Sequence, residues 1–382
     1  MNSLIIRNGL VVHAEDGRVE KQDIAVEGGW IVKMADRISD HAVSEIDAEG
    51  CYVTPGLIDH HTHIWPMAKI GIPAEAVCFA SGVTTAVDAG STGCRTFGKY
   101  LPFLDTLKLD VRAYLNVCST GLDSLPESME DVAPEHMEEE KIRKIFRQYG
   151  DRLLGLKLRT SRHIVGERGL EPLKETVRIA DKLGVPVMVH ITDPPAPLGE
   201  ILKIMRPGDV ITHMYQNTGY SLLENGHVME EAKKARERGV IFEAADARAH
   251  FSFEVSEAAM KEGFLPDLLG TDVTKFSMHL RPTAFNMAMQ VSKYTFLGME
   301  FAEVIRRCTW NNAVHMGISD RVGSLREGKQ ADIAVFRPCE KKNIFGDRPD
   351  SSNEQVFREG AMLYEPVLTV KTGEMVYRNI TF

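Results

Sequence analysis

The sequence predicts an α/β fold: a (β/α)8 TIM barrel joined to a small β-sandwich domain built from both chain ends. Three observations predict it. Residues from about 54 to 320 alternate short apolar runs with amphipathic stretches. Eight such apolar runs can be counted. The flanking segments have a different texture, with short strands separated by glycine-containing turns. Mostly apolar strands alternating with helices imply a parallel sheet covered on its outer face, and eight units imply closure. The expected division is 1–53 with 322–382 for the small domain and 54–321 for the barrel.

The N-terminal flank has Leu4-Ile5-Ile6 before Asn8-Gly9, then Val11-Val12, then Glu15-Asp16-Gly17. Ile24-Ala25-Val26 leads through Gly28-Gly29 to Trp30-Ile31-Val32. Asn-Gly and Gly-Gly between apolar runs are hairpin signals, so hairpins are expected at both places and no helix. The barrel strands are expected at 56–60, 83–88, 111–117, 153–159, 185–191, 209–213, 239–244 and 267–272. Between them, Leu173, Val177, Ala180 and Leu183 recur at helical spacing and stop at Gly184, a helix C-terminal signal. Ile142, Ile145 and Phe146 repeat the pattern after Glu138-Glu139-Glu140, where carboxylates suit a helix start. After about 320, Gly323 to Phe336 reads as turn then strand, and Thr369 to Tyr377 as a hairpin around Gly373. Residues 340–360 read as a loop.

Composition excludes several function classes. The 382 residues are 43% hydrophobic and 26% charged, with net charge −9. That acidity disfavours nucleic-acid or anionic-membrane partners. Six scattered cysteines form no Cys-x-x-Cys pair, which argues against a zinc ribbon or redox motif and fits a reduced, cytoplasmic setting. No apolar run approaches the roughly 20 residues that span a bilayer, and the N-terminus lacks a signal-peptide pattern.

In a closed barrel, chemistry sits at the C-terminal strand ends. The first strand runs into Thr54-Pro-Gly-Leu-Ile-Asp-His-His-Thr-His63. His61 and His63, at i and i+2, share one side of a strand, whereas His60 is expected on the opposite side as a structural residue. The fourth strand carries Lys157 within Leu-Leu-Gly-Leu-Lys-Leu. The fifth ends in His190, the sixth in His213 and the eighth in Asp272. Each has an ordinary reading alone: a hydrogen-bonded histidine, an Asp cap, a lysine reaching solvent. Their joint placement at the same end of the barrel points to metal binding. A buried ammonium is costly unless paired or neutralised, and a lysine carbamate between two cations removes that cost.

These residues resemble the amidohydrolase superfamily with a binuclear metal centre, over nearly the whole chain. The likeness rests on Pro-Gly-Leu-Ile-Asp-His-His-Thr-His, Lys157, His190, His213 and Asp272, and on Gly82-Val-Thr-Thr85 and Gly-Ser-Leu-Arg-Glu-Gly-Lys-Gln-Ala-Asp-Ile near the C-terminus. Gly155-Leu-Lys-Leu-Arg159 and Gly263 to Asp272 are most similar to the deacetylase metallohydrolases near dihydroorotases. The resemblance implies two divalent metal ions, zinc by ligand type. His61, His63 and Asp272 would hold one, His190 and His213 the other, with a carbamate on Lys157 and a hydroxide bridging them. That hydroxide would attack an amide or ester carbonyl of a small carboxylate-bearing substrate, with Asp272 as catalytic general base and then acid. Arg159, Tyr215, His250 and Arg281 are the candidate substrate-binding residues, with Arg162, His163 and Asn217 nearby. Cyclic-amide hydrolysis of the dihydroorotase or hydantoinase kind is the alternative, then purine or pyrimidine deamination. A non-catalytic interaction module would be expected to have lost ligands, and here all six are present. The expected partners are a small-molecule substrate and, as in many such barrels, a second copy of the chain (homo-oligomer), with no nucleic acid and no membrane.

Overall fold

The computed structural model describes residues 2–65, 69–123, 125, 129–280, 283–347 and 356–382. All eight expected barrel strands are present: Leu57–Thr62, Val83–Gly93, Asp110–Asn116, Leu153–Arg159, Val187–His190, Val210–Thr212, Ile241–Ala245 and Leu268–Gly270. They form one parallel sheet in sequential order. The last strand returns to the first: Thr271 N donates to His61 O at 3.1 Å, and His63 N to Val273 O at 3.2 Å. These bonds close the barrel. Ile58, Val87, Tyr114, Met188 and Val210 fill its interior below the strand ends, so the barrel is a packed core with a floor for the site, not a pore.

The outer helices follow the expected periodicity. The helix Glu171–Leu183 buries Leu173, Thr176, Ile179 and Ala180, and ends at Gly184 with φ +68°. The helix Glu139–Tyr149 begins with two acids and buries Ile142. Among the described residues no helix is long and apolar enough to cross a membrane.

The second sheet comes from both chain ends, and Val53 pairs antiparallel with Val335 where they meet. Two sequence expectations are corrected here. Asn8-Gly9 is not a hairpin. Asn2–His13 is one continuous strand with a bulge between Ile6 and Gly9, and Asn8 has φ +61°. Before the bulge the strand pairs with Ala42–Asp47, and after it with Tyr52–Pro55. A bulge bends a strand so that its two halves serve different layers, and the Asn-Gly signal encodes this corner. Nor is 340–360 a loop throughout. Ile333–Gly346 pairs with Phe357–Lys371 as far as Gly346 opposite Phe357. Phe345 is buried and stacks on Phe296 at 5.0 Å, and this contact extends the strand beyond what the polar sequence suggests. Residues 348–355 of that stretch lie outside the described residues.

Candidate active site

The first strand places three histidines. A one-residue bulge between Asp59 and Thr62 changes the register against the second strand. As a result His60 does not turn away, contrary to simple alternation. His60 Nδ1 lies 2.5 Å from Glu243 Oε1, and His61 Nδ1 lies 2.8 Å from Glu243 Oε2. The two adjacent imidazoles share one fully buried carboxylate. Burial opposes its charge, but His60 and His61 hold the Glu243 carboxyl well below the usual range.

Each neighbouring bond fixes a tautomer. His61 Nδ1 faces the Glu243 carboxylate, so it carries the proton and Nε2 keeps a lone pair. His213 Nδ1 donates to Ala245 O at 2.7 Å, leaving Nε2 bare, buried and without a hydrogen bond. Ser91 Oγ donates to Asp88 Oδ2 at 2.7 Å and accepts from His63 Nδ1 at 2.9 Å. Thus three Nε2 lone pairs converge on an acceptor. Asp272 Oδ1 is 3.2 Å from His63 Nε2 and 3.5 Å from His61 Nε2, and Asp272 Oδ2 is 4.0 Å from His213 Nε2. His190 packs edge-on to His213, with ring centroids 4.4 Å apart. Burial keeps His61, His190 and His213 below the ordinary imidazole value, the last two well below. Bare ring nitrogens facing a carboxylate repel one another unless cations lie between them, and this donor set fits divalent metal ions.

Lys157 completes the cluster. It is 2% exposed, and its Nζ is 3.4 Å from His61 Nε2 and 3.3 Å from Met188 Sδ. Among the described residues no carboxylate pairs with it. Burial lowers its pKa from 10.5 to about 8, although Asp272 and Glu243 oppose the shift. Gly90, at φ +87°, makes room for it: a Cβ there would sit 2.7 Å from Lys157 Cγ. His213 and Asp272 themselves have φ of +69° and +52°. Such backbone in non-glycine residues costs of order 1–3 kcal/mol and persists where the surroundings enforce it. For Asp272 the enforcing group is buried Asp59, which accepts from Thr271 N at 2.9 Å and Thr271 Oγ1 at 2.6 Å.

Five of the six expected ligands, His61, His63, Lys157, His190 and Asp272, therefore line one cavity of about 350 Å³, together with Arg159, Arg248, His250, Leu122 and Met129, and His213 is buried against His190 beside it. The other expected residues divide. Arg159 reaches the cavity wall, held by Glu130 Oε2 at 2.5 Å. Glu130 is itself buried and bonded to Asn116 Nδ2 at 3.1 Å. His250 lies at the cavity, with ring centroid 4.2 Å from that of His213. Tyr215 does not reach it: the ring is fully buried in the core, and its hydroxyl donates to Phe264 O at 3.0 Å. Three positions after the strand end at Thr212, the chain has already turned back under the helices. Arg162 is bonded near Asp193 and Pro194, away from the cavity wall. Arg281 lies outside the described residues.

Sequence reasoning passed over Glu243, Asp88, Ser91, Asp59, Glu130 and Arg248. Glu243 gave a usable signal, an acid inside the apolar run Gly-Val-Ile-Phe-Glu-Ala, of the same kind that drew attention to Lys157. Asp88 and Ser91 bond each other only three residues apart, but their links to the site, like those of Asp59 and Glu130, run to partners distant in sequence.

Comparison with known proteins agrees with this geometry. The sequence model of the Amidohydrolase family matches residues 52–363. A deacetylase of Agrobacterium fabrum is 34% identical over 322 residues, covering 82% of this chain and 78% of that protein. A deacetylase of Enterococcus faecalis is 29% identical over 382 residues, covering 98% and 99%. Among solved structures, a dihydroorotase superposes with TM-score 0.89 at 28% identity, covering 99% of this chain and 98% of that one. An adenine deaminase superposes with TM-score 0.87 at 26% identity, covering 99% and 100%. Such relatives imply a binuclear metal centre and a small-molecule substrate. With its strand-end histidines, Lys157 and Asp272 brought together and its sequence matched over most of its length, the chain belongs to the amidohydrolase family and is a hydrolase.

Proposed function

We propose that this protein is a binuclear metal-dependent deacetylase, removing an acyl group from the nitrogen or oxygen of a small carboxylate-bearing molecule. Residues 54–321 would form the catalytic barrel, and 1–53 with 322–382 the supporting domain. One observation carries the reading: three bare Nε2 atoms and the Asp272 carboxylate face each other beside a buried Lys157 that, among the described residues, has no carboxylate in an ion pair with it. His61, His63 and Asp272 would hold one cation and His190 and His213 the other, with Lys157 carried between them as a carbamate. Imidazole and carboxylate donors favour zinc. When bound, two such cations supply an acidified water and polarise the scissile carbonyl.

The chain's own groups do the rest. Asp272 takes the proton of the attacking water at a carboxylate oxygen and returns it to the departing nitrogen or oxygen. Glu243, Ser91 and the Ala245 carbonyl hold three imidazoles in one tautomer, so no rearrangement accompanies turnover. Arg159, fixed by Glu130, keeps guanidinium donors for a substrate carboxylate, and Arg248 lines the same cavity. Leu122 and Met129 give the cavity an apolar wall that suits an acyl group.

The likeness to a dihydroorotase favours cyclic-amide hydrolysis as the second reading. A panel of N-acetyl amino acids, O-acetyl hydroxy acids, dihydroorotate, hydantoins and adenine separates the two. Acetate release with saturation kinetics is expected. Turnover of only the cyclic ureides, or ammonia from adenine alone, overturns the deacetylase assignment.

A further inference from the structure

We infer that His250 is a third imidazole donor to the cation held by His190 and His213, an inference that rests on the binuclear reading above. The ligand atoms of His190, His213 and His250 all lie within 4.8 Å of one another. A tetrahedral site with metal–nitrogen bonds near 2.1 Å separates its donors by about 3.4 Å, so a small inward rotation of the rings closes the set. His250 Nδ1 is engaged by Thr192 Oγ1 at 2.7 Å, and its Nε2 is 3.4 Å from Asp272 Oδ2. The ring thus presents Nε2 to the cluster in the same way as His61 and His213 do. Thr192 is two residues beyond His190, so one strand end supplies both a ligand and the anchor of another.

The placement is built into the backbone. His250 N donates to Asp246 O at 3.0 Å, Ala247 N to Thr271 O at 2.8 Å, and Ser252 N to Tyr215 O at 2.9 Å. Ala247 has φ +43°. Asp246 is buried against Lys293, and its Oδ1 accepts from Tyr294 Oη at 3.0 Å. Lys293 Nζ in turn lies 3.8 Å from the centroid of the Phe251 ring, next to His250. The turn after the seventh strand is therefore clamped on both sides of His250. A residue that merely brushed substrate would not need this degree of fixation. A metal ligand does, since its donor atom must be held within about 0.5 Å. The His250 side chain is 18% exposed, so it is the one member of the trio that an entering substrate can displace.

The test compares wild-type holoenzyme with His250→Asn, His213→Asn and Thr192→Val. Metal content is measured, then release during titration with a chelator, then the visible spectrum of the cobalt(II) forms. In His250→Asn one cation is expected to be retained at wild-type affinity and the other released at a tenfold or greater lower chelator strength, with an altered cobalt(II) spectrum. Thr192→Val keeps the imidazole but frees its ring, and about tenfold weaker retention of the same cation is expected. Thermal melts confirm that each variant is folded. Unchanged release and a superimposable cobalt(II) spectrum in His250→Asn overturn the inference. A folded wild-type chain holding less than one cation overturns the metal-centre reading itself, which is a separable result.

Discussion

Lysine carbamylation needs a neutral amine, and the structure sets how much of it exists. The amine adds carbon dioxide and releases one proton, giving the carbamate anion. Burial brings the Lys157 pKa to about 8. At pH 7 roughly 9% of the metal-free chains then carry a neutral amine, against roughly 0.03% for a lysine at its ordinary value. At pH 8 the neutral share is about a half, and at pH 6 about 1%. Because the folded pKa is depressed, the reactive form grows as pH rises and saturates above about 8. Metal-free enzyme reconstituted with zinc should therefore regain activity about fifty-fold faster at pH 8 than at pH 6, with dissolved carbon dioxide held constant. His190 and His213 do not supply this window, since burial keeps both well below 6.5. The assay is zinc uptake and return of hydrolysis after mixing, under a sealed atmosphere of fixed carbon dioxide pressure. Labelled bicarbonate should give a carbamate carbon resonance that Lys157→Ala lacks. A reconstitution rate that changes less than threefold between pH 6 and 8, or that ignores carbon dioxide, refutes the reasoning.

Replacing Asp272 with Asn should lower kcat by about 10²–10⁴, the usual cost of losing a positioned acid–base group. Metal analysis should show a smaller loss, and full turnover with both cations bound would remove Asp272 from its role. Gly90→Ala should disturb the Lys157 position, because its Cβ would meet Lys157 Cγ at 2.7 Å in backbone at φ +87°. We expect about 1–3 kcal/mol of lost stability and reduced metal content, read by thermal melts and elemental analysis. Asp110 pairs with Arg321 Nη2 at 2.5 Å and with Arg112 Nε at 3.3 Å. Burial would raise its pKa, but the two guanidiniums carry it below 3.8. Its contribution is therefore complete above 3.8 and is lost as pH falls through the lower folded value. Asp110→Asn should cost about 1–3 kcal/mol at pH 7, with the Tm difference from wild type shrinking towards pH 3. An unchanging difference over that range would sink the assignment.

The sequence by itself determined the fold class and the six-residue cluster. Both are written in local pattern: apolar runs of strand length, helices ending at residues such as Gly184, and polar residues placed just where those runs stop. Given eight parallel strands, closure brings His61, Lys157, His190, His213 and Asp272 to one end whatever the loops do. Tertiary structure alone decided how these groups are held and what surrounds them. A single bulged residue turned His60 inward, and only the closed barrel put Glu243 within reach of both His60 and His61. Tyr215 and His250 read alike in the sequence, each a few residues past a strand end. Packing sent the first into the core and clamped the second against His213. Strand ends are fixed by a repeating hydrogen-bond ladder that sequence patterning encodes. The loops beyond them are fixed by contacts such as Asp246 with Lys293 and Glu130 with Arg159, whose partners become neighbours only after the chain has closed.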